Sequence, residues 1–191
     1  MECIPHSHRS VKVEDGALLK VGLEPWVGED PRVLILGTLP GDESIQSRMY
    51  YANPSNRFWR IMHDIFSGNK DDKSKEFIVS HKMALWDCLK FAEREGTTDR
   101  KIVKETEIPN DIVCFLQNYP TIKTIIINGT SKTLQTFIRF FEDIYRNKKY
   151  KIIVLHQTSR NNERNNKITY ETKLNEWKIV KDIVDASIQE I

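Results

Sequence analysis

The sequence predicts an α/β fold in which helices cover both faces of a short parallel sheet. Three β-branched runs, at residues 32–37, 123–128 and 151–156, alternate little between apolar and polar side chains, as strands covered on both faces do. A weaker run at 83–89 is a fourth candidate strand. Helical patterns separate these runs, and this alternation is typical of an α/β sandwich.

The helices are predicted from apolar residues at helical spacing. Ser55 is a candidate cap for a helix that begins at the next residue, and Pro109 is a candidate first-turn residue for a second helix. Ser131 is placed to cap a third helix that continues to Ile144, and a last helix is expected at about 170–188. The apolar stripes of these helices are predicted to pack in the core.

The length of 191 residues suits a single domain spanning residues 1–191, with the first 20 residues expected to form a flexible tail. A formal charge of +2 is too small to indicate a polyanionic partner, so any basic surface must be local. No apolar run approaches the roughly twenty residues needed to cross a membrane. We expect a monomer without membrane association.

The cysteines are scattered along the chain and odd in number: Cys3, Cys88 and Cys114. This pattern predicts neither a disulfide framework nor a Cys-x-x-Cys metal site, and we expect the cytoplasm as the compartment. Cys3, His6 and His8 lie close together, but a lone short cluster in a terminal segment usually binds no metal. We therefore expect no metal at these residues.

Ligands of open parallel sheets bind beyond the carboxyl ends of the strands. Polar segments at 93–101 and 156–166 follow predicted strand ends, and the turn GTLPG at 37–41 follows the first strand. This turn lacks the Lys-Ser/Thr ending of a phosphate loop and the third glycine of a dinucleotide fingerprint. The chain also has no Gly-x-Ser-x-Gly nucleophile elbow.

The segment after the glycine turn is rich in aromatic and amide side chains. Tyr50 and Tyr51 offer flat faces to a planar ring, and Asn53 and Asn56 both donate and accept hydrogen bonds. These are the groups that bind a nucleobase. Charged and hydroxyl side chains that suit phosphates occur nearby and in the last polar segment: Arg57, Arg60, Thr158, Ser159, Arg160 and Arg164.

Three segments together resemble the uracil-DNA glycosylase superfamily, and most of all its deoxyinosine (hypoxanthine) DNA glycosylase branch. They read LGTLPGDES followed by YYANPSNRFWRI, then ALWDCLKFAEREGTTDRKI, then IIINGTSKT, and their order and spacing agree over about residues 24–165. The resemblance implies a three-layer α/β/α sandwich with a short four-stranded parallel sheet. It also implies a monofunctional DNA glycosylase, without metal or redox cofactor, that removes a deaminated base such as hypoxanthine or uracil in base-excision repair.

The same resemblance implies roles for individual residues. Asn56 corresponds to the catalytic amide, since Leu39 stands where much of the superfamily has a water-positioning Asn or Asp. Tyr51 corresponds to the aromatic ring that stacks on the flipped base, and Asp87 to the position that touches the base edge. Further base contacts are expected from the glycine turn and the pocket floor: Leu39, Pro40, Gly41 and Asn128.

The loop after the last strand departs from the branch, which usually carries a Ser-Thr-Ser-Pro-like sequence there. This chain reads LHQTSRNN, with His156, Gln157 and Arg160 in place of the expected residues. A loop of this kind is expected to contact the DNA minor groove. The residues expected to bind DNA are Thr158, Ser159, Arg160, Asn161 and Asn162.

Two other hypotheses stay open. Because GTLPG contains no acid, the chain could be a catalytically silent protein that keeps the fold and binds DNA in a salt-sensitive way without releasing a base. It could also be a nucleotide hydrolase or a flavodoxin-like binder. Phosphate binding, however, does not explain the aromatic, amide-rich segment.

Overall fold

The structure, a computed structural model, describes residues 18–69, 71–160 and 168–189. Along these ranges seven strands form: β1 (Leu19–Val21), β2 (Val33–Gly37), β3 (Met83–Asp87), β4 (Leu89–Glu93), β5 (Ile108–Pro109), β6 (Thr124–Asn128) and β7 (Lys151–Leu155). Eight α-helices form along the same ranges: α1 (Asp42–Ser47), α2 (Phe58–Phe66), α3 (Lys75–Ser80), α4 (Ile112–Asn118), α5 (Lys132–Phe140), α6 (Glu142–Arg146), α7 (Tyr170–Trp177) and α8 (Ile179–Gln189).

The central sheet is parallel and has the strand order β3-β2-β6-β7. Its members are the four strands that the sequence predicts, so the expected α/β fold with a four-stranded parallel sheet is confirmed. Gly37 and Asp87 are register partners at the ends of β2 and β3, and Asn128 pairs with Leu155 at the ends of β6 and β7. All four carboxyl ends therefore meet at one edge.

Two apolar cores lie on opposite faces of this sheet, because successive side chains of a strand point to opposite sides. On β2, Val33 and Ile35 face a core formed with α2, α3, α7 and α8. Leu34 and Leu36 face a second core formed with α4, α5 and α6. This arrangement is the three-layer α/β/α sandwich, and it explains why the strand sequences lack alternation.

A second, antiparallel sheet has the strand order β1-β4-β5 and is not anticipated by the sequence analysis. β4 begins two residues after β3 ends, so the chain leaves the parallel sheet and turns back toward the glycine turn. Leu19 and Lys20, expected in the tail, belong to β1 and pair with β4. Residues 1–17, including Cys3, His6 and His8, lie outside the described residues.

Several helix boundaries differ from the expectations. α2 begins at Phe58 rather than directly after Ser55. Pro109 lies in β5, and Asp111 caps α4 by accepting a hydrogen bond from the backbone of Cys114 at 2.9 Å. Asn110 donates to the carbonyl of Asp87 at 2.8 Å, which ties this segment to the sheet before the helix can start.

The two longest predicted helices are each divided. The helix after Ser131 stops at Phe140 and resumes as α6, and the last helix is divided between α7 and α8. Ser44 is buried in the short helix α1.

Of the two cysteines in the described part of the chain, Cys88 is a buried free thiol, whereas Cys114 is disulfide-bonded.

Within residues 18–69, 71–160 and 168–189, no helix combines the length and the apolar character that a membrane span requires. Over the same part of the chain, no group of three or more His, Cys, Asp and Glu side chains is placed to hold a metal ion.

Replacing Phe137 with alanine should lower the free energy of unfolding by about 3–5 kcal/mol, because loss of this fully buried ring leaves a cavity in the core. Tyr145→Ala truncates an aromatic ring of similar size at an exposed position, and should change the value by no more than about 0.5 kcal/mol. Urea unfolding followed by circular dichroism measures both. Equal losses would contradict the packing described for this face of the sheet.

Candidate active site

The side-chain amide of Asn128 joins two segments at the strand-end edge. Its Nδ2 donates to the hydroxyl of Tyr51 at 3.0 Å and to Oγ1 of Thr158 at 3.2 Å. Its Oδ1 accepts from the backbone N–H of Thr158 at 3.0 Å. Asn128 is buried, and a buried amide needs such partners to offset the loss of water. The segment after β2 and the loop after β7 are therefore held together by one side chain.

Tyr51 is held in an unusual backbone conformation, with φ at 56°. This left-handed region is uncommon for residues other than glycine, and it persists where the surroundings fix the side chain. The ring stacks on Phe58, with centroids 3.9 Å apart and planes inclined by 19°. Phe58 covers one face of the ring, so a planar ligand would have to stack on the other face.

Asn56, and not Ser55, bonds the first residue of α2, whose N-cap residue is Arg57 and makes no side-chain cap hydrogen bond. Its Oδ1 accepts from the backbone N–H of Phe58 at 3.0 Å, and its own N–H donates to the carbonyl of Asn53 at 2.9 Å. Ser55 instead donates twice to Oδ1 of Asn53 and is exposed. Because an amide oxygen has two lone pairs, Oδ1 of Asn56 retains one acceptor position for a water molecule.

The start of the last loop packs against the rest of the site. The backbone N–H of Arg57 donates to the carbonyl of Thr158 at 2.9 Å, and the fully buried Lys173 donates to the carbonyl of Ser159 at 2.7 Å. Thr158 is 1% exposed, so its side chain bonds Asn128 and does not reach the surface. Ser159 is half-buried and Arg160 is exposed, whereas residues 161 and 162, also expected to bind DNA, lie outside the described residues.

His156, at the carboxyl end of β7, is oriented by α7. Its Nδ1 lies 2.7 and 2.8 Å from the two carboxylate oxygens of Glu176. A carboxylate only accepts hydrogen bonds, so Nδ1 carries the proton. The carbonyl of His156 accepts from the indole N–H of Trp177 at 3.0 Å. Glu176 is not predicted from the sequence, because nothing in the order of the helices and strands along the chain indicates that α7 packs beside β7.

The glycine turn is held from beneath by Arg94, which the sequence analysis also misses. This residue follows β4 and is fully buried. Its guanidinium donates to the carbonyls of Pro40 at 2.5 Å, Leu39 at 3.3 Å and Gly96 at 2.9 Å. Because a trans peptide places N–H and C=O on opposite sides, the N–H of Gly41 points away from Arg94. The Leu39 side chain packs in a small apolar cluster and offers no polar group.

Two carboxylates flank Arg94. Asp42 lies 3.5 Å and Asp99 lies 3.7 Å from its guanidinium nitrogens, and together they compensate its buried charge. Burial raises the pKa of Asp99, while Thr38 and then Arg94 act in the opposite direction. Thr38 in turn bonds Thr133 at 2.7 Å across the neighbouring strand end.

Asp87 lies at the end of β3, and within the described part of the chain its carboxyl group lacks the hydrogen-bond partners that the guanidinium of Arg94 has. It is 5% exposed, and its Oδ2 has no hydrogen-bond partner among the described residues. Burial, followed by the charge of Asp99, raises the pKa of Asp87 to about 8. Burial and the neighbouring Asp87 also raise the pKa of Tyr51, so the tyrosine hydroxyl stays protonated at neutral pH.

An open groove with a volume of about 380 Å³ lies beside Tyr51. Tyr51 and Asn56 line it together with three cationic side chains, Arg57, Arg60 and Lys73. The groove therefore combines the aromatic ring and the amide that the sequence analysis singles out with a positively charged wall.

Comparison with known proteins identifies the family. The model of the family described as the uracil DNA glycosylase superfamily matches residues 25–182. The chain belongs to this superfamily. A hypoxanthine DNA glycosylase from Methanosarcina acetivorans is 33% identical over 167 residues, which cover 85% of this chain and 98% of that protein. One from Methanosarcina barkeri is 38% identical over 115 residues, which cover 58% of this chain and 71% of that protein.

A solved structure agrees with these matches. The solution NMR structure of a uracil DNA glycosylase candidate from Methanosarcina acetivorans has a TM-score of 0.69 and 30% identity, and the match covers 87% of this chain and 99% of that chain. The resemblance drawn from the three sequence segments is thus confirmed. In this superfamily member, the segments meet at the carboxyl edge of the parallel sheet through Tyr51, Asp87 and Asn128.

Arg94→Met should lower the free energy of unfolding by about 3 kcal/mol, because the carbonyls of Leu39 and Pro40 lose their donor inside the protein. Arg100→Met changes an exposed arginine of the same segment and should cost no more than about 0.5 kcal/mol. Urea unfolding compares the two variants with the parent. If both lose the same stability, the guanidinium does not support the turn.

Proposed function

We propose that this protein is a DNA glycosylase that hydrolyses the N-glycosidic bond of a deaminated base, hypoxanthine or uracil, flipped out of DNA during base-excision repair. One observation carries the proposal: in a member of the uracil DNA glycosylase superfamily, Tyr51 and Asn56 line one groove together with Arg57, Arg60 and Lys73. The hypoxanthine DNA glycosylases at 33% and 38% identity support the choice of base.

The groove suits an extruded nucleotide. A base inside a duplex cannot present its glycosidic bond, so it must be flipped out at a cost of a few kcal/mol, which is smallest for mispaired bases. The face of Tyr51 opposite Phe58 is the stacking surface proposed for the flipped base. Arg57, Arg60 and Lys73 along the groove suit contacts to the DNA phosphates.

Hydrolysis of the N-glycosidic bond requires groups that stabilise the charges that develop in the transition state. Cleavage makes the sugar positive and the departing base negative, so fixed dipoles near both lower the barrier. Oδ1 of Asn56 orients the attacking water through its remaining lone pair, and the hydrogen bond from Phe58 fixes that oxygen in place. The N–H of Gly41, oriented by Arg94, is the candidate donor to the base anion.

Other residues of the chain are proposed to make the remaining contacts with the base and the DNA. Asp87 contacts the base edge, and the backbone around Leu39 and Pro40 lies over the base. Asn128 forms the pocket floor and positions Tyr51. The exposed Arg160 and its neighbours in the last loop contact the DNA backbone or groove. We propose that the protein acts as a monomer and in the cytoplasm.

Incubation with labelled duplexes that each carry one uracil, hypoxanthine, xanthine or mismatch should give strand cleavage after alkali treatment, with hypoxanthine or uracil among the substrates. Unmodified duplex is the control. Salt-sensitive binding to lesion duplexes without any cleavage would contradict the proposal and favour the catalytically silent protein, for which the apolar Leu39 in the glycine turn is the specific indication.

Asn56→Ala should reduce the single-turnover rate of base release by about 10²–10³-fold or more, since the water loses its acceptor. The variant also loses the hydrogen bond from the backbone N–H of Phe58, which should cost about 1 kcal/mol of stability. Asn56→Asp keeps an acceptor oxygen for Phe58 and for the water, so we expect it to release base faster than Asn56→Ala. Ser55→Ala, an exposed neighbouring change, is the control.

Gel analysis of cleaved strands at saturating protein measures these rates. Unchanged rates in Asn56→Ala would refute the catalytic role. Equal rates in the alanine and aspartate variants would refute the role of the acceptor oxygen.

A further inference from the structure

The carboxyl group of Asp87 and the hydroxyl of Tyr51, whose ring is proposed to stack on the base, both lie close to Gly37. Asp87 and Gly37 are register partners, and the carboxyl leans across Gly37 so far that Oδ1 overlaps the place where a Cβ on Gly37 would be. The hydroxyl of Tyr51 is 3.8 Å from that same point. Only glycine leaves room for the carboxyl to reach the middle of the strand-end edge.

An ionised Asp87 would lack the partners that a buried carboxylate needs. Its Oδ2 is buried and unpartnered among the described residues, which marks a polar atom available to a ligand. Arg94 donates its hydrogen bonds to the glycine turn and to Gly96, not to Asp87. Lys132 bonds Glu107 at 2.6 Å. Burying a charge without such a partner is unfavourable, so the neutral acid is preferred.

On balance, burial and the charged groups around Asp87 raise its pKa and favour the neutral acid. The carboxylate of Asp99 opposes ionisation and the guanidinium of Arg94 favours it, but burial is the largest effect and the pKa is raised to about 8. The other titratable groups that face Asp87 remain uncharged at neutral pH, because burial raises the pKa of each: Tyr50, Tyr51 and Cys88.

We propose that Asp87 recognises the base as a protonated carboxylic acid. Hypoxanthine and uracil share a lactam edge, which is a ring N–H beside an exocyclic carbonyl. The acid donates its O–H to that carbonyl and accepts the ring N–H with its other oxygen. A carboxylate would present two acceptors to an edge with one donor, and its charge would oppose the negative charge that develops on the departing base. This assignment rests on the proposed function and deepens it.

The pH dependence of base release tests the assignment. Single-turnover release of hypoxanthine from a duplex should be level below about pH 8 and fall about tenfold per pH unit above it, as the acid form is lost. Asp87→Asn offers a donor and an acceptor at every pH. We therefore expect it to keep base release and to lose the alkaline fall, whereas Asp87→Ala should lose about tenfold or more at pH 7.

A substitution at Asp99 should shift the pH profile of base release toward lower pH. Asp99→Asn removes a negative charge that raises the pKa of Asp87, so the alkaline fall should begin at lower pH. Glu95→Gln removes an exposed charge from the same segment and should leave the profile unchanged.

Titration of the Asp87 carboxyl by ¹³C NMR in the DNA-free protein tests the protonation state directly. A carboxyl that titrates below about pH 5, near the ordinary range for aspartate, would overturn the assignment. An alkaline fall that persists in Asp87→Asn would also overturn it. Absence of base release by the unaltered protein at every pH would overturn the proposed function instead, and the titration would still decide the state of Asp87.

Discussion

The side-chain amide of Asn128 is the interaction on which the candidate active site depends. A parallel sheet brings the carboxyl ends of its strands to one edge, but it does not fix the loops that follow them. Asn128 does so by binding Tyr51 on one side and Thr158 on the other. The carbonyl of Thr158 then accepts from Arg57 at the start of α2. The ring proposed for stacking and the start of α2, which Asn56 bonds, are thereby held by the same side chain.

The glycine-turn side of the site depends on the buried charge of Arg94. Arg94 uses its guanidinium to hold the glycine turn, and Asp42 and Asp99 compensate its charge. Asp87 lies close by without a hydrogen-bond partner for its buried Oδ2 in the described part of the chain, and burial raises the pKa of its carboxyl group. The two sets of groups have separate effects. Arg94 fixes the backbone of the glycine turn, and Asp87, as the neutral acid proposed above, would provide an edge that can donate and accept.

Much of the fold follows from local sequence. The β-branched runs and their glycine, aspartate and asparagine ends predict the parallel sheet, because apolar residues without alternation require cover on both faces. Helix ends are less predictable, since Pro109 satisfies the rules for both a first helical turn and a strand edge. The small antiparallel sheet escapes prediction because β1 and β5 are short and pair only after the chain has folded back.

The site residues proposed from the sequence are those that stand inside a family motif. The resemblance of those motifs assigns roles to Asn56, Tyr51 and Asp87, and these roles stay predictions. The residues that hold them do not, because their partners are distant in sequence. Arg94 lies 54 residues from Pro40, and Thr158 lies 30 residues from Asn128. Burial also changes the chemistry of Asp87, and no local pattern reports the burial of a strand-end carboxyl.

A double-mutant cycle between Tyr51 and Asn128 tests the central claim most directly. Single-turnover release of hypoxanthine would be measured for Tyr51→Phe, Asn128→Ala and the double variant. If the amide acts through the tyrosine hydroxyl, the double variant should be about as slow as Asn128→Ala, with a coupling free energy of about 1 kcal/mol or more. Additive effects of the two changes would contradict the account, because the two residues would then act independently.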